Sequence, residues 1–225
     1  LMAGISHDLR SPLTSIQAYV EGLLDGVANT PEKQQAYLRT IKAKAEEIQR
    51  MVSQIFQFSK MDLENYPMQI EPLALDEELG ALLEVVGPEY AEKGLAVQAD
   101  LAPAVALVDA ELLRRIVVNI LDNSLKYKSA AEGHAEVRVR AEADGVHLTI
   151  ADDGPGVSAE ALPKLFDVFY RSDPSRHNPN QGSGLGLAIV ARAVQRMGGS
   201  VRASAAEPHG LVIEIVLPKG EEDHG

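Results

Sequence analysis

Asn119-Ile120-Leu121-Asp122-Asn123-Ser124-Leu125-Lys126-Tyr127 is the stretch from which the rest of the chain is read. It closes an apolar run that begins at Ala110, and the spacing predicts a helix over 110–127. On that helix Asn119, Asn123 and Lys126 stand at i, i+4 and i+7, so they share one polar face opposite an apolar one. A polar face can be no more than a solvated one. It can also be chemical: neutral amide oxygens suit a Mg²⁺ that already carries phosphate oxygens and waters, and an ammonium group pairs with a phosphate.

Downstream, alternating residues predict two strands over 135–141 and 146–151, joined at Asp144-Gly145. Asp152-Asp153-Gly154-Pro155-Gly156 follows at once. A carboxylate at a strand end can accept a hydrogen bond from the exocyclic amine of adenine, and glycines let backbone approach a ring. Asp-x-Gly-x-Gly is equally the composition of a turn. Gly182-Ser183-Gly184-Leu185-Gly186-Leu187 then opens a helix predicted over 185–197, and glycine-rich N–H groups at a helix start form an anion site. The glycine spacing is not that of the dinucleotide fingerprint, and no Gly-Lys-Ser/Thr ends the stretch as in a Walker loop. Between the two motifs, Tyr170 to Gln181 is rich in Ser, Pro, Asn and Arg and is expected to be a lid that carries Arg171 and Arg176 toward phosphates. Further elements are expected at 75–86 (helix), 96–101, 200–205 and 211–217 (strands). Hairpin strands interleaved with helices predict a sandwich of a mixed sheet with its helices on one face.

Upstream the pattern changes. Leu9, Leu13, Ile16, Val20, Leu23 and Val27 step by four and three, as do Leu38, Ile41, Ala45, Ile48, Val52 and Ile55. Each series is a heptad seam. Gly26 ends the first helix, and Thr30-Pro31-Glu32 starts the second, with Thr30 as N-cap and Pro31 at the first helical position. Two such helices form an antiparallel hairpin, and a hairpin alone leaves part of both seams uncovered. The expected solution is a four-helix bundle of two chains, the alternative a single hairpin packed on the downstream domain. Periodicity stops between Met61 and Leu75, so the expected division is a hairpin over 1–61, a linker over 62–72, a second domain over 73–219 and a tail over 220–225. In the first helix His7 falls at an outward heptad position beside Asp8, a carboxylate that can hold an imidazole in one tautomer and make it a better nucleophile.

Composition excludes several classes. The chain has 225 residues and a formal net charge of −12, so nucleic acid phosphates and anionic lipid surfaces repel it. With no cysteine there is no disulfide, thiolate metal site or thiol nucleophile. No apolar run approaches a membrane span, and the chain opens at Leu1 in what reads as mid-helix; a soluble fragment of a longer protein is expected.

Taken together, these motifs resemble the kinase core of the bacterial sensor histidine kinases. His7 with Asp8 resembles the family's phosphoacceptor box; Asn119, Asn123, Lys126 and Tyr127 its asparagine box; Asp152, Gly154 and Gly156 its first glycine box; Phe166 to Arg171 its phenylalanine box. Gly182, Gly184 and Gly186, with Leu185 between, resemble its second glycine box. The resemblance covers nearly the whole chain and implies an α+β protein. Its N-terminal hairpin would form a dimeric four-helix bundle, followed by an α/β sandwich of the gyrase, chaperone, histidine kinase and mismatch-repair ATPase type. It also implies roles: His7 accepts the γ-phosphoryl group of ATP and passes it to an aspartate of a response-regulator receiver domain. Asp8 is the base or orients His7, and Ser11 supports a dephosphorylation reaction. Asn119 and Asn123 hold Mg²⁺; Lys126, Arg171 and Arg176 neutralise phosphate charge; Asp152 reads adenine; Tyr127 packs near the nucleotide. The implied setting is the cytoplasmic portion of a sensor anchored in the membrane upstream. Departures are Asp8 for the common Glu, Ser11 for the common Thr and Gln181 for a common Gly. Two rival readings are a hydrolytic ATPase of the same superfamily and a nucleotide-binding dimeric scaffold. The first expects a Glu one turn before the metal-binding Asn, where this chain has Asn119.

Overall fold

A computed structural model describes residues 2–61, 67–170 and 184–220, with side chains from Leu9 onward except at 57, 58, 60 and 61. The chain divides into two compact units, Leu1–Lys60 and Met61–Gly225.

The first unit is a helical hairpin of α1 (Met2–Leu24) and α2 (Pro31–Met61). Pro12 lies inside α1 without ending it. The turn is closed by Asp25 N–H donating to the Glu21 carbonyl at 2.8 Å and Ala28 N–H to the Gly22 carbonyl at 3.1 Å. Thr30 caps α2 as its sequence predicts, its Oγ1 accepting from Lys33 N–H at 3.3 Å. The helices meet where Tyr19 and Tyr37 stack edge to face, 4.9 Å between ring centroids. Gly22 makes room for that pair, since a Cβ there would stand 2.8 Å from the Tyr37 ring. None of the heptad residues is buried within this single hairpin.

The second unit is a two-layer sandwich. Its five-stranded sheet has the order β2-β4-β5-β7-β6, from β2 (Leu95–Leu101), β4 (Gly133–Glu142), β5 (Gly145–Asp152), β6 (Ser200–Ala205) and β7 (Leu211–Leu217). Only β2 and β4 pair in parallel; the other neighbours are antiparallel, so the sheet is mixed. Alternation separates its faces. Val137, Val139, Val146, Leu148, Ile150, Ile213 and Ile215 point inward and are buried, and α3 (Leu75–Glu92), α4 (Ala110–Tyr127) and α5 (Gly186–Arg196) contribute Leu75, Leu79, Leu113, Ile116, Leu121, Ile189 and Val190 to the same core. The outer face is ionic: Arg138 and Arg140 pair with Asp100, and Arg202 pairs with Glu214.

Three differences from the sequence expectation have physical causes. Helix α3 runs on through Gly87-Pro88 to Glu92 instead of stopping at Val86. Pro88 leaves the Glu84 carbonyl without its helical donor, but both residues are exposed, so the carbonyl is open to water. A separate two-stranded antiparallel sheet of β1 (Glu71–Ala74) and β3 (Val105–Val108) escaped the periodicity, because four-residue strands are too short to show alternation. Finally, α5 starts at Gly186, with Leu185 as N-cap, one residue later than expected.

Candidate functional site

The site is built by the C-terminal half of α4, the end of β5, the start of α5 and the turn between β6 and β7. α4 is set by its own cap: the Asp109 carboxylate accepts from Leu112 N–H at 3.0 Å and also from Gln69 N–H at 2.9 Å. Leu112, Leu113, Ile116, Val117, Ile120, Leu121 and Ser124 face the core, which turns Asn119 and Asn123 toward α5. Asn119 Nδ2 donates to the Arg115 carbonyl at 2.9 Å, so its Oδ1 is left as the outward acceptor. That oxygen lies 3.6 Å, and Asn123 Nδ2 lies 3.9 Å, from where a Cβ on Gly186 would stand. The bare glycine at the head of α5 thus leaves a cradle beside both amides. Leu185, the N-cap, has no side-chain acceptor for the first-turn N–H groups, which suits an anion there. Lys126 Nζ sits 4.7 Å from the Tyr127 ring centroid and 3.2 Å from its hydroxyl, on the next turn of α4.

Asp152 ends β5 with its carboxylate gripped on both oxygens. Oδ1 accepts from Gly154 N–H at 3.0 Å and Leu211 N–H at 3.2 Å, and Oδ2 accepts from Ser124 Oγ at 3.0 Å. The backbone crowds behind it. Gly156 has φ +67 and its Cβ position lies 2.8 Å from the Gly210 carbonyl; Gly210 has φ +122, and a Cβ there would overlap the Asp152 carbonyl. Only glycine tolerates both the conformation and the approach. His209 Nδ1 donates to the Gly154 carbonyl at 3.1 Å. Next door, Asp153 accepts from His134 N–H at 2.8 Å and meets its Nδ1 at 2.9 Å. Burial pushes the Asp153 carboxyl up, but these His134 contacts outweigh it and hold the group below its ordinary value.

Of the residues singled out in the sequence, the structure brings together Asn119, Asn123, Lys126, Tyr127, Asp152, Gly154, Gly156, Gly184, Leu185 and Gly186 within the second unit. Phe169 N–H donates to the Gly184 carbonyl at 3.1 Å, tying the end of the phenylalanine box to the second glycine box. Arg171, Arg176 and Gly182 lie outside the described residues, as does the lid expected between Tyr170 and Gln181 apart from its first residue. His7 and Asp8 are in α1, their side chains also outside the described set, and Ser11 is exposed on the same helix. Ser124, His209, Gly210 and Leu211 were missed. Ser124 stands within the α4 stretch, but helical spacing gives it no chemical role; the other three carry no signal, because their link to Asp152 spans more than fifty residues.

A separate cluster lies on the outer face of the sheet. His147 is 9% exposed, and its Nε2 meets Asp144 at 2.9 Å and Glu142 at 3.8 Å, while Nδ1 meets Glu214 at 2.9 Å. Burial works to lower the imidazole, but the Asp144 and Glu214 hydrogen bonds prevail and raise it above its ordinary value.

Comparison with known proteins identifies two domains. Residues 108–221 match the family described as histidine kinase-, DNA gyrase B- and HSP90-like ATPase, and residues 1–64 match the His Kinase A phospho-acceptor domain. The phosphate regulon sensor protein PhoR of Pseudomonas aeruginosa is 35% identical over 87% of the chain, which covers 44% of that protein. The signal transduction histidine-protein kinase BaeS of Escherichia coli is 34% identical over 96% of the chain, which covers 46% of that protein. The chain therefore spans less than half the length of these relatives. In fold it resembles the Acinetobacter baumannii histidine kinase AdeS, with a TM-score of 0.76 at 20% identity over 96% of this chain and 98% of that one. Among the described residues no helix is long and apolar enough to cross a membrane. With a phospho-acceptor domain at one end and an ATP-binding ATPase domain at the other, the chain is a histidine kinase core and belongs to the sensor histidine kinases of two-component signalling.

Proposed function

We propose that the chain autophosphorylates His7 from ATP and passes the phosphoryl group to an aspartate of a response-regulator receiver domain. The observation that carries this reading is the meeting of Asn119 and Asn123 with the glycine start of α5, Gly186, while Asp152 is presented at the same end of the second unit. Residues 73–219 act as the nucleotide-binding domain, 62–72 as linker, 220–225 as tail and 1–61 as the dimerising phosphoacceptor hairpin. The seam of that hairpin, exposed at Leu13, Val20, Leu38 and Val52, supports a homodimer joined as a four-helix bundle.

The chemistry is mostly positioning and electrostatics, as phosphoryl transfer requires. Asp152 accepts the adenine amine, and Tyr127 lies against the nucleotide. Asn119 Oδ1 would hold Mg²⁺, joined by Asn123 once its amide is turned to present its oxygen; a neutral oxygen beside an open cradle fits a hard cation that keeps most of its own oxygen ligands. When bound, the ion neutralises charge on the phosphate oxygens. Lys126, Arg171, Arg176 and the N–H groups around Gly182, Gly184, Leu185 and Gly186 supply the remaining positive potential. Asp8 holds the proton on His7 Nδ1 so that Nε2 presents its lone pair. The new bond joins Nε2 to the γ-phosphorus as the bond to the ADP oxygen breaks, and ADP leaves with that electron pair. Ser11 supports removal of phosphate from the regulator. The chain is read as the cytoplasmic portion of a membrane-anchored sensor.

Incorporation of ³²P from labelled ATP tests the reading. The wild-type chain should take up label that is acid-labile and alkali-stable, as a phosphoramidate is. His7→Gln should abolish it while leaving the affinity for a fluorescent ATP analogue within about twofold, since acceptor and nucleotide site belong to different units. Undiminished label on that variant would move the acceptor elsewhere, with His134 and His177 next to be replaced.

A further inference from the structure

We propose that Ser124 is a positioning residue for the nucleotide base: it orients Asp152 and so sets the preference for adenine over guanine. The proposal rests on the reading that Asp152 receives the base. Ser124 is 3% exposed and stands on the inward face of α4, one residue after Asn123. Its Oγ lies 3.2 Å from the Ile120 carbonyl and 3.0 Å from Asp152 Oδ2. Both neighbours are acceptors, and a hydroxyl has one proton. Opposite a carboxylate the proton has to face Oδ2, because turning it to Ile120 would set an oxygen lone pair against the carboxylate at the same distance.

This has a consequence for recognition. A carboxylate offers about four lone-pair directions. Gly154 N–H and Leu211 N–H take two on Oδ1, and Ser124 takes one on Oδ2. One acceptor direction on Oδ2 is left, and its aim is set by the helix on one side and the two backbone donors on the other. A 6-amino group donates into that direction. A 6-oxo group would place acceptor against acceptor, and the Ser124 hydroxyl proton, already engaged on Oδ2, is not free to reverse the polarity. Without the hydroxyl, Oδ2 has two open directions. Asp152 is then held at Oδ1 alone, and a water can enter to bridge it to a 6-oxo group.

The test is an equilibrium titration of the whole chain with a fluorescent ATP analogue, competed by ATP and by GTP, for wild type, Ser124→Ala, Asp152→Asn and the double variant. Alanine is a good helix residue and fills less space, so Ser124→Ala keeps the fold, which its unfolding transition verifies. We expect Ser124→Ala to weaken ATP about tenfold and to narrow the ATP-over-GTP ratio by a similar factor, the size of one hydrogen bond to a charged group. The double variant should be no weaker for ATP than Asp152→Asn, because Ser124 acts through that carboxylate. If Asp152→Asn weakens ATP strongly but Ser124→Ala moves neither affinity nor ratio by more than twofold, the positioning role is overturned and the adenine reading stands. If the two effects simply add, Ser124 acts through packing and the proposal also fails. If Asp152→Asn leaves ATP affinity unchanged, the adenine reading and this proposal fall together.

Discussion

The two units bury the same kinds of residue to opposite extents. In the hairpin, Leu38 is 56% exposed, Val27 60% and Phe56 64%, and among the described residues of that unit only Pro12, Ala28 and Met51 are buried. In the second unit Leu75, Leu79, Leu113, Ile116, Leu121, Leu148 and Ile150 are closed off from water. Geometry explains the contrast. Two helices cover each other along a single strip, whereas a sheet with helices laid on one face encloses a layer of side chains from above and below. The second unit therefore holds its stability within one chain. The hairpin has apolar surface to spare, which is what the proposed dimeric bundle would use.

The sharpest way to break this contrast is Ile48→Asp. Ile48 is a half-buried seam residue, and in the proposed bundle the substitution would set an unpaired charge in the shared core. The variant should sediment near the single-chain 24.2 kDa, against twice that for the wild type at micromolar concentration, and should still bind the ATP analogue with near-normal affinity. A wild-type mass close to one chain would sink the bundle. The counterpart in the second unit is Leu148→Ala, at a fully buried central strand position. It should cost about 2–5 kcal/mol. Urea unfolding should show the loss in the transition that releases bound nucleotide, with the helical transition of the hairpin unchanged. Equal shifts in both would show that the units are not independent.

A smaller effect sharpens the comparison from the outer face of the sheet. The His147 imidazole is raised because Asp144 and Glu214 grip its two nitrogens, with Glu142 close by. A raised folded-state value means that the protonated form stabilises the fold. That contribution is complete below the ordinary value of about 6.5 and is lost as pH rises through the raised one. The urea midpoint of the second unit should therefore fall between pH 6 and pH 9, and His147→Gln should remove most of that slope. A variant with the same slope as wild type would exclude His147 as its source.

Legibility in the sequence followed the reach of the interaction. The limits of α4, β6 and β7 could be read to the residue, because apolar spacing and alternation are local signals. The continuation of α3 through Pro88 could not, since only the exposure of that turn makes the lost hydrogen bond tolerable. Nor could the parallel register of β2 on β4, which matches Val97 with Ala135 and Ala99 with Val137. Alternation says which residues share a face but not which strand lies alongside.

The site divides in the same way. Asn119, Asn123 and Lys126 are neighbours by helical spacing, and the glycines around Gly186 announce a helix start, so the sequence by itself determined the family and the residue types of the nucleotide end. Tertiary structure alone decided what surrounds them. It brought Gly186 within reach of the two amides, set Leu211 and Gly210 behind Asp152, and aimed Ser124 at the same carboxylate. The reason is that a side chain's type is written at its own position, whereas the direction of a lone pair is set by donors that folding brings from elsewhere in the chain.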